Sequence, residues 1–204
     1  MTPEKTRLLK ELDTVQTSLI WKVEGLTDDE LRRPMTMSGT NLIGIVKHLT
    51  GITHGYLCVA FGRDVDMFPE CTDEELWFGL DMWATPDESP AEIVDGYRRA
   101  CAAGARSVEE LDLETTGTHH SGSTVTVRDM AFTVLLDTTR HAGHADVTRE
   151  LIDGRIGSRP GDPMSPDDPE YLRMYRARIT GEIDRETWMT YVRSRPEYQP
   201  REES

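Results

Sequence analysis

Apolar residues return at intervals of three and four along most of the chain, the spacing of helices rather than strands. Leu8, Leu9, Leu12, Val15, Leu19, Ile20 and Val23 mark a first helix over about residues 3 to 25, opened by Thr2-Pro3 as cap and first-turn proline. Thr27 and Glu30 have capping-box spacing and predict a short turn, and Thr36 to Gly39 reads as loop. Leu42, Ile45, Leu49, Ile52 and Tyr56 predict a second helix over about 41 to 61, with Thr40 as its cap and Gly62 as its stop. Residues 63 to 88 are rich in Asp, Glu and Pro, carry Trp77, Phe78 and Trp83, and predict a long ordered excursion with little regular structure. Ser89-Pro90-Ala91-Glu92 opens a third helix running to about Leu111. Glu114 to Ser123 is a turn-rich link, after which strand-like Thr124-Val125-Thr126 leads into a long helix over about 127 to 152, ended by Asp153-Gly154.

Four helices with connections of modest length make an all-α four-helix bundle the economical packing. From Gly157 to Asp168 the composition shifts to Gly, Pro, Ser and Asp, which predicts a linker. Beyond it, Pro169 to Thr180 and Arg185 to Arg193 predict two short helices bearing Tyr171, Tyr175, Trp188 and Tyr191. Aromatics of that size need a surface to bury against. The division is therefore a bundle over 1–157 and a helical, aromatic-rich extension over 158–204, read as an arm that wraps the bundle or a neighbouring subunit of a homodimer.

The length of 204 residues suits one domain with an appendage and would crowd two. A formal net charge of −14 leaves no basic patch to displace counterions from nucleic acid and no Lys/Arg-rich face for anionic lipid. Neither partner is expected. No run of about eighteen apolar residues is present, and Met1 to Leu12 is charged throughout, so neither a spanning helix nor a signal peptide is expected and the location reads as cytoplasmic. Cys58, Cys71 and Cys101 are odd in number and lack a CxxC pair, which fits reduced thiols better than a disulfide framework or a zinc knuckle.

Candidate chemistry gathers on the last bundle helix. At about 100° per residue, Met130, Val134, Asp137, His141, His144, Thr148 and Leu151 share one stripe, read as the face toward the core. Ionisable groups on such a face need partners, and a divalent ion satisfies a carboxylate and an imidazole together. The i, i+4 spacing of Asp137 and His141 suits chelation of one ion, as in HExxH helices. His48, flanked by Ile45, Leu49 and Ile52, looks inward from the second helix, giving three ligands and an open position for water or substrate. The plainer alternatives are a hydrogen-bonded core histidine at His48 and a simple Asp137–His141 ion pair. His54, about 240° round from His48, reads as surface or as support behind the ligands. His119-His120 reads as a solvated turn, with a substrate-loop role as the alternative. No base is placed near Cys58 to make it a nucleophile.

The stretch Arg140-His141-Ala142-Gly143-His144-Ala145-Asp146, continuing through Arg149-Glu150-Leu151-Ile152-Asp153-Gly154, resembles the signature of the DinB-like superfamily. It is most similar to the actinobacterial branch that resembles the mycothiol-dependent maleylpyruvate isomerase metal domain and the mycothiol S-transferases. Similarity also covers Gly39 to His48 and Asp81-Met82-Trp83 to Tyr97, so it spans about residues 5 to 157 and leaves the tail uncovered. The motif is specific to the superfamily, not to one reaction. What the resemblance implies is a four-helix bundle holding a divalent metal, commonly zinc or nickel, through a second-helix histidine and a Glu/His-x-x-x-His pair on the last helix. Those positions are His48, Asp137 and His141. Asp137 departs from the usual Glu or His and is a methylene shorter than Glu, which makes His144 either an orienting group or a substitute ligand.

The expected function is a metal-dependent thiol S-transferase acting on a small-molecule substrate. An open metal position can hold a low-molecular-weight, mycothiol-like thiol as thiolate at neutral pH, where a free thiol of pKa ~8.5 is mostly protonated. His144 and Asp146 are the candidate orienting or proton-handling groups. Arg140 and Arg149 are candidates to hold carboxylates of a sugar-linked thiol, with a surface salt bridge as the plainer fate of each. Two alternatives remain. Water in place of thiol gives a hydrolase or lyase, although no Glu base of the HExxH kind is present; a closed ligand shell gives a non-catalytic metal- or ligand-binding bundle.

Overall fold

Local capping chemistry sets most helix ends in the structure, a computed structural model that describes residues 1–63, 78–162 and 168–195. Helix α1 (Pro3–Val23) starts where the Thr2 side chain accepts the Lys5 amide and Pro3 takes the first turn. Thr27 and Glu30 close a reciprocal capping box on the short α2 (Asp28–Arg32). Helix α3 (Leu42–Leu57) is capped by Asn41 rather than Thr40, because the Asn41 Oδ1 reaches the Gly44 amide at 2.7 Å. It also stops at Leu57, short of the expected 61, and a 3-10 turn (Val59–Phe61) follows. Ser89 and Pro90 begin α4 (Pro90–Glu110). The expected turn-rich link is a hairpin: β1 (Thr116–Thr118) pairs antiparallel with β2 (Thr124–Thr126), Thr116 opposite Thr126. Thr126 and Asp129 then form the capping box of α5 (Val127–Asp153), which Gly154 closes in the left-handed conformation. The expected excursion at 63 to 88 falls mostly outside the described residues, Cys71 and Trp77 with it.

The all-α expectation holds, the hairpin being the only sheet among the described residues. Helix α3 lies against α4 and α5, and α1 lies against α5 and α4. Leu42, Ile43, Ile45, Val46 and Leu49 of α3 are fully buried with Leu19, Ile93 and Tyr97, while Leu8, Leu12, Leu57, Val108 and Val134 form a second cluster. Each such aliphatic side chain contributes roughly 1.5–3 kcal/mol relative to exposure. The segment Leu42–Phe61 is long and apolar enough to cross a membrane, contrary to the sequence reading. Here its apolar side chains supply the core.

The inner face of α5 matches the stripe that periodicity selects only in part: Met130, Val134 and Thr148 are buried as expected, but the face is turned away from the rest. Ala131, Val134, Thr138, Ala145 and Arg149 are buried, whereas Leu151, assigned inward, is 59% exposed, as are Leu136 and Val147 in large part. Small side chains let α5 approach its neighbours closely. Measured from buried Thr138, His141 stands about 60° round, Asp137 about 100° and His144 about 120°. The ionisable strip therefore runs along the rim of the buried face, where a polar group keeps part of its solvation.

Two other contacts matter for the site. The carbonyl of Met82 presses on Gly44 so closely that a Cβ there would lie 1.7 Å from the oxygen, which seats the stretch 79–89 directly on α3. Gly117 is pressed in the same way by the Ala60 carbonyl, fixing the hairpin on the 3-10 turn.

The described residues divide into two compact units, Met1–Gly154 and Arg155–Ser204. Within the second, Asp168 caps α6 (Pro169–Thr180) and Asp184 caps α7 (Arg185–Arg193). Tyr171, Tyr175, Trp188 and Tyr191 find one another: ring centroids are 5.5 Å apart for Tyr171–Trp188, 5.7 Å for Tyr175–Trp188 and 5.9 Å for Trp188–Tyr191.

Inside the first unit, Arg149 is fully buried and its guanidinium donates to the Lys22 and Glu24 carbonyls at 2.7 and 2.9 Å and to both oxygens of Asp153. It ties the end of α1 to the end of α5. Replacing a buried, fully bonded cation with an apolar side chain strands those acceptors, so Arg149→Met should cost about 3 kcal/mol in urea unfolding. A loss below about 1 kcal/mol would contradict this role.

Candidate metal centre

His48 and His141 stand on different helices, α3 and α5, and their rings meet at a centroid distance of 4.9 Å. Asp137 lies between them: its Oδ2 is 3.3 Å from His48 Nε2 and its Oδ1 is 3.7 Å from His141 Nε2. One ligand atom from each of the three lies within 4.8 Å of the others. All three side chains are partly shielded, with 17, 31 and 14% exposure for His48, Asp137 and His141. The other nitrogen of His48, Nδ1, is 2.5 Å from Asp81 Oδ2 on a 3-10 turn (Leu80–Met82).

This donor set poses an electrostatic problem. If the Nδ1–H of His48 donates to Asp81, a neutral ring presents its Nε2 lone pair to the Asp137 carboxylate, acceptor against acceptor. His141 brings a second nitrogen, Nε2, to the same carboxylate. A cation among the three removes the conflict. Two donors about 2.1 Å from a tetrahedral ion lie roughly 3.4 Å apart; Asp137 offers one oxygen 3.3 Å from His48 and the other 3.7 Å from His141, and one ligand atom from each of the three lies within 4.8 Å of the others, so a small adjustment closes the set on one ion. The residues therefore fit a divalent ion of the borderline kind that takes imidazole and carboxylate together.

Without an ion, the charges adjust as expected. Burial works against the protonated form of His48, but the hydrogen bond and charge of Asp81, with Asp137 behind them, outweigh it and raise its pKa. Burial, and then the charge of His48, lower that of His141. Burial disfavours the Asp81 anion, yet the bond to His48 holds its carboxyl below the usual range.

The other candidates fall in different places. His144 is exposed and stands edge-on to His141, ring centroids 5.3 Å apart. Arg140 is exposed on the outer side of Asp137, about 60° round the helix. Asp146 does not reach the site: it lies about 140° from His141 and pairs at 2.7 Å with the fully buried Lys22. Arg149 likewise turns into the fold, fully buried with its guanidinium on Lys22, Glu24 and Asp153, so its reading as a cosubstrate holder is corrected to a structural one. His54 is half-buried outside the cluster. His119 and His120, at the hairpin tip, lie against each other and against Tyr56, 5.1 and 6.1 Å from its ring. Tyr56 belongs to the surroundings of the centre, for burial and then the charge of Asp137 raise its pKa.

Two participants escape sequence reasoning. Asp81 is 33 positions from His48 in an acidic stretch with no period, so nothing distinguishes it from its neighbours except its place at the start of the Asp81-Met82-Trp83 similarity. Tyr56 looks like one more core position of α3.

The model of the Mycothiol-S-transferase family matches residues 7–154, nearly the whole of the first unit and every residue of the centre. The chain belongs to the mycothiol S-transferase family. No curated protein matches it. The family match ends at the residue that closes α5, so α6 and α7 lie beyond the family's common part.

Metal binding at this centre must displace the proton that the raised His48 holds, while the lowered His141 is already free of one. Apparent zinc affinity should then fall about tenfold per pH unit below the His48 value, and about a hundredfold per unit only below that of His141. Competition titrations over about pH 5 to 8 measure this. An affinity independent of pH would contradict the assignment of His48.

Proposed function

We propose that the chain is a metal-dependent S-transferase that joins a low-molecular-weight thiol, mycothiol or one built like it, to a small electrophile. The convergence of His48, Asp137 and His141 from two helices, in a chain of this family, is the observation that carries the reading. Three protein donors leave a further position free, the arrangement of catalytic rather than structural ions. Zinc fits the donor set best, and nickel is the alternative.

A divalent ion held by these three side chains supplies the positive charge that keeps a coordinated thiol as its thiolate near neutral pH. The protein's own groups do the rest. His144, at the solvent edge of His141, is placed to take the thiol proton and pass it to water. Arg140, exposed beside it, is placed to hold a polar group of the thiol's sugar-linked body. The sulfur forms its bond to the electrophilic carbon, and with a halogenated electrophile the halide leaves. Asp146 and Arg149 take no part, being bound to Lys22 and Asp153. The exposed, edge-on position of His144 favours this open arrangement over a closed shell of four protein ligands, which would make the ion structural.

Purified protein mixed with mycothiol and monochlorobimane should form the fluorescent conjugate, lose that activity on chelation and recover it with zinc or nickel. His48→Ala and His141→Ala should each lower the rate on the order of a hundredfold or more. Conjugation that persists undiminished in metal-free protein would overturn the proposal.

A further inference from the structure

Residues 79–89 have almost no regular structure, yet an unusual number of their backbone acceptors are held by side chains from elsewhere. Asn41, the cap of α3, donates to the Met82 carbonyl at 3.1 Å. Lys47, next to His48, donates to the carbonyls of Leu80 and Trp83 at 3.3 and 3.2 Å and pairs with Glu88 at 2.7 Å. Arg32 of α2 donates to the carbonyls of Ala84, Thr85 and Glu88. Gly44 lets the Met82 carbonyl rest on the α3 backbone. Two cations, one amide and one missing side chain thus fix a short irregular stretch against the helix that carries His48. Unbraced, so polar a segment would keep its conformational freedom. The bracing has one outcome at the centre: Asp81 is held with its carboxylate 2.5 Å from His48 Nδ1, both side chains less than a fifth exposed.

We propose that Asp81 is a positioning residue for the centre: it keeps the proton of neutral His48 on Nδ1, so that Nε2 is left as a lone pair aimed between Asp137 and His141. The assignment rests on the metal reading given above for its purpose, but its geometry stands by itself. An imidazole has two tautomers, and only the one with an unprotonated Nε2 can donate to an ion on the Asp137 side. Carboxylates face both ring nitrogens, but that of Asp81 is at 2.5 Å and that of Asp137 at 3.3 Å, so the closer acceptor, Asp81, selects that tautomer; it also fixes the ring plane and raises the basicity of the donor nitrogen. Lys47 and Arg32 act one step further out by holding the stretch that carries Asp81. This gives the sequence neighbours Lys47 and His48 separate tasks, one gripping the strap and the other meeting what the strap delivers.

Asp81→Asn tests this, because the amide is the same size but offers a donor as well as an acceptor, so it no longer enforces one tautomer. The tautomer of His48 is read from nitrogen-15 chemical shifts in metal-free protein at a pH above the His48 transition. Zinc affinity is read by competition with a chromophoric chelator, and folding by circular dichroism. The wild type should show the proton on Nδ1. Asp81→Asn should mix or invert the tautomers and weaken zinc by about 10- to 100-fold with its helix content unchanged. In a His48→Ala background the same substitution should change zinc affinity by no more than about twofold, which separates action through His48 from a general loosening of the fold. A wild-type His48 protonated on Nε2, or a variant that keeps the wild-type tautomer, would overturn the proposal. Failure of the wild type to bind either zinc or nickel would sink the proposed function, and the tautomer measurement, which needs no metal, would still decide the role of Asp81.

Discussion

A carboxylate facing two imidazoles at the rim of an apolar core is the constraint around which the rest is arranged. Neutral His48 gives its one proton to Asp81 and turns a lone pair toward Asp137, and His141 leaves a buried nitrogen unbonded. Three donors held this close are costly without a positive charge among them. The fold keeps them together because each is anchored by something other than its partners: His48 by a helix whose neighbouring side chains are fully buried, Asp137 and His141 by a helix packed through small residues.

The division of labour follows from that. Core helix α3 supplies stiffness, since Ile45, Val46 and Leu49 around His48 cannot move without opening the core. Helix α5 supplies closeness, with Ala131, Thr138 and Ala145 on its inner face. The ends of α1 and α5 are locked by Arg149, and the strap over α3 is locked by Arg32 and Lys47. Cations buried in the fold thus serve structure, while the exposed Arg140 and the exposed His144 stay available at the mouth of the centre.

How legible all this is in the sequence depends on the range of the interaction involved. Caps and proline starts act over three or four residues, so α1, α4, α6 and α7 can be placed almost to the residue. The pairing of Asp137 with His141 is also legible, because i, i+4 spacing holds whichever way a helix is turned. The turning of α5 is not. Beyond Val134 its buried face is built of alanine, threonine and an arginine, which carry little hydrophobic contrast, while the large apolar residues Phe132, Leu136 and Leu151 are exposed. Asp146 and Arg149 are read into the centre from their place in the motif, and the partners that take them away, Lys22 and the end of α1, lie more than a hundred residues away in sequence. Strand β1 was missed because Thr116-Gly117-Thr118 has no apolar alternation and is held by its partner and by the 3-10 turn beneath Gly117. Asp81 was missed for a related reason: its position is decided by Asn41, Lys47 and Gly44, more than 30 residues away in sequence.

X-ray absorption at the metal edge, on protein prepared without a histidine tag, tests the central claim most directly. The account predicts one ion per chain, with two imidazoles and one carboxylate among its nearest neighbours and a position that takes up sulfur when a thiol is added. A shell already filled by protein donors, or the same spectrum from protein lacking both His48 and His141, would contradict it.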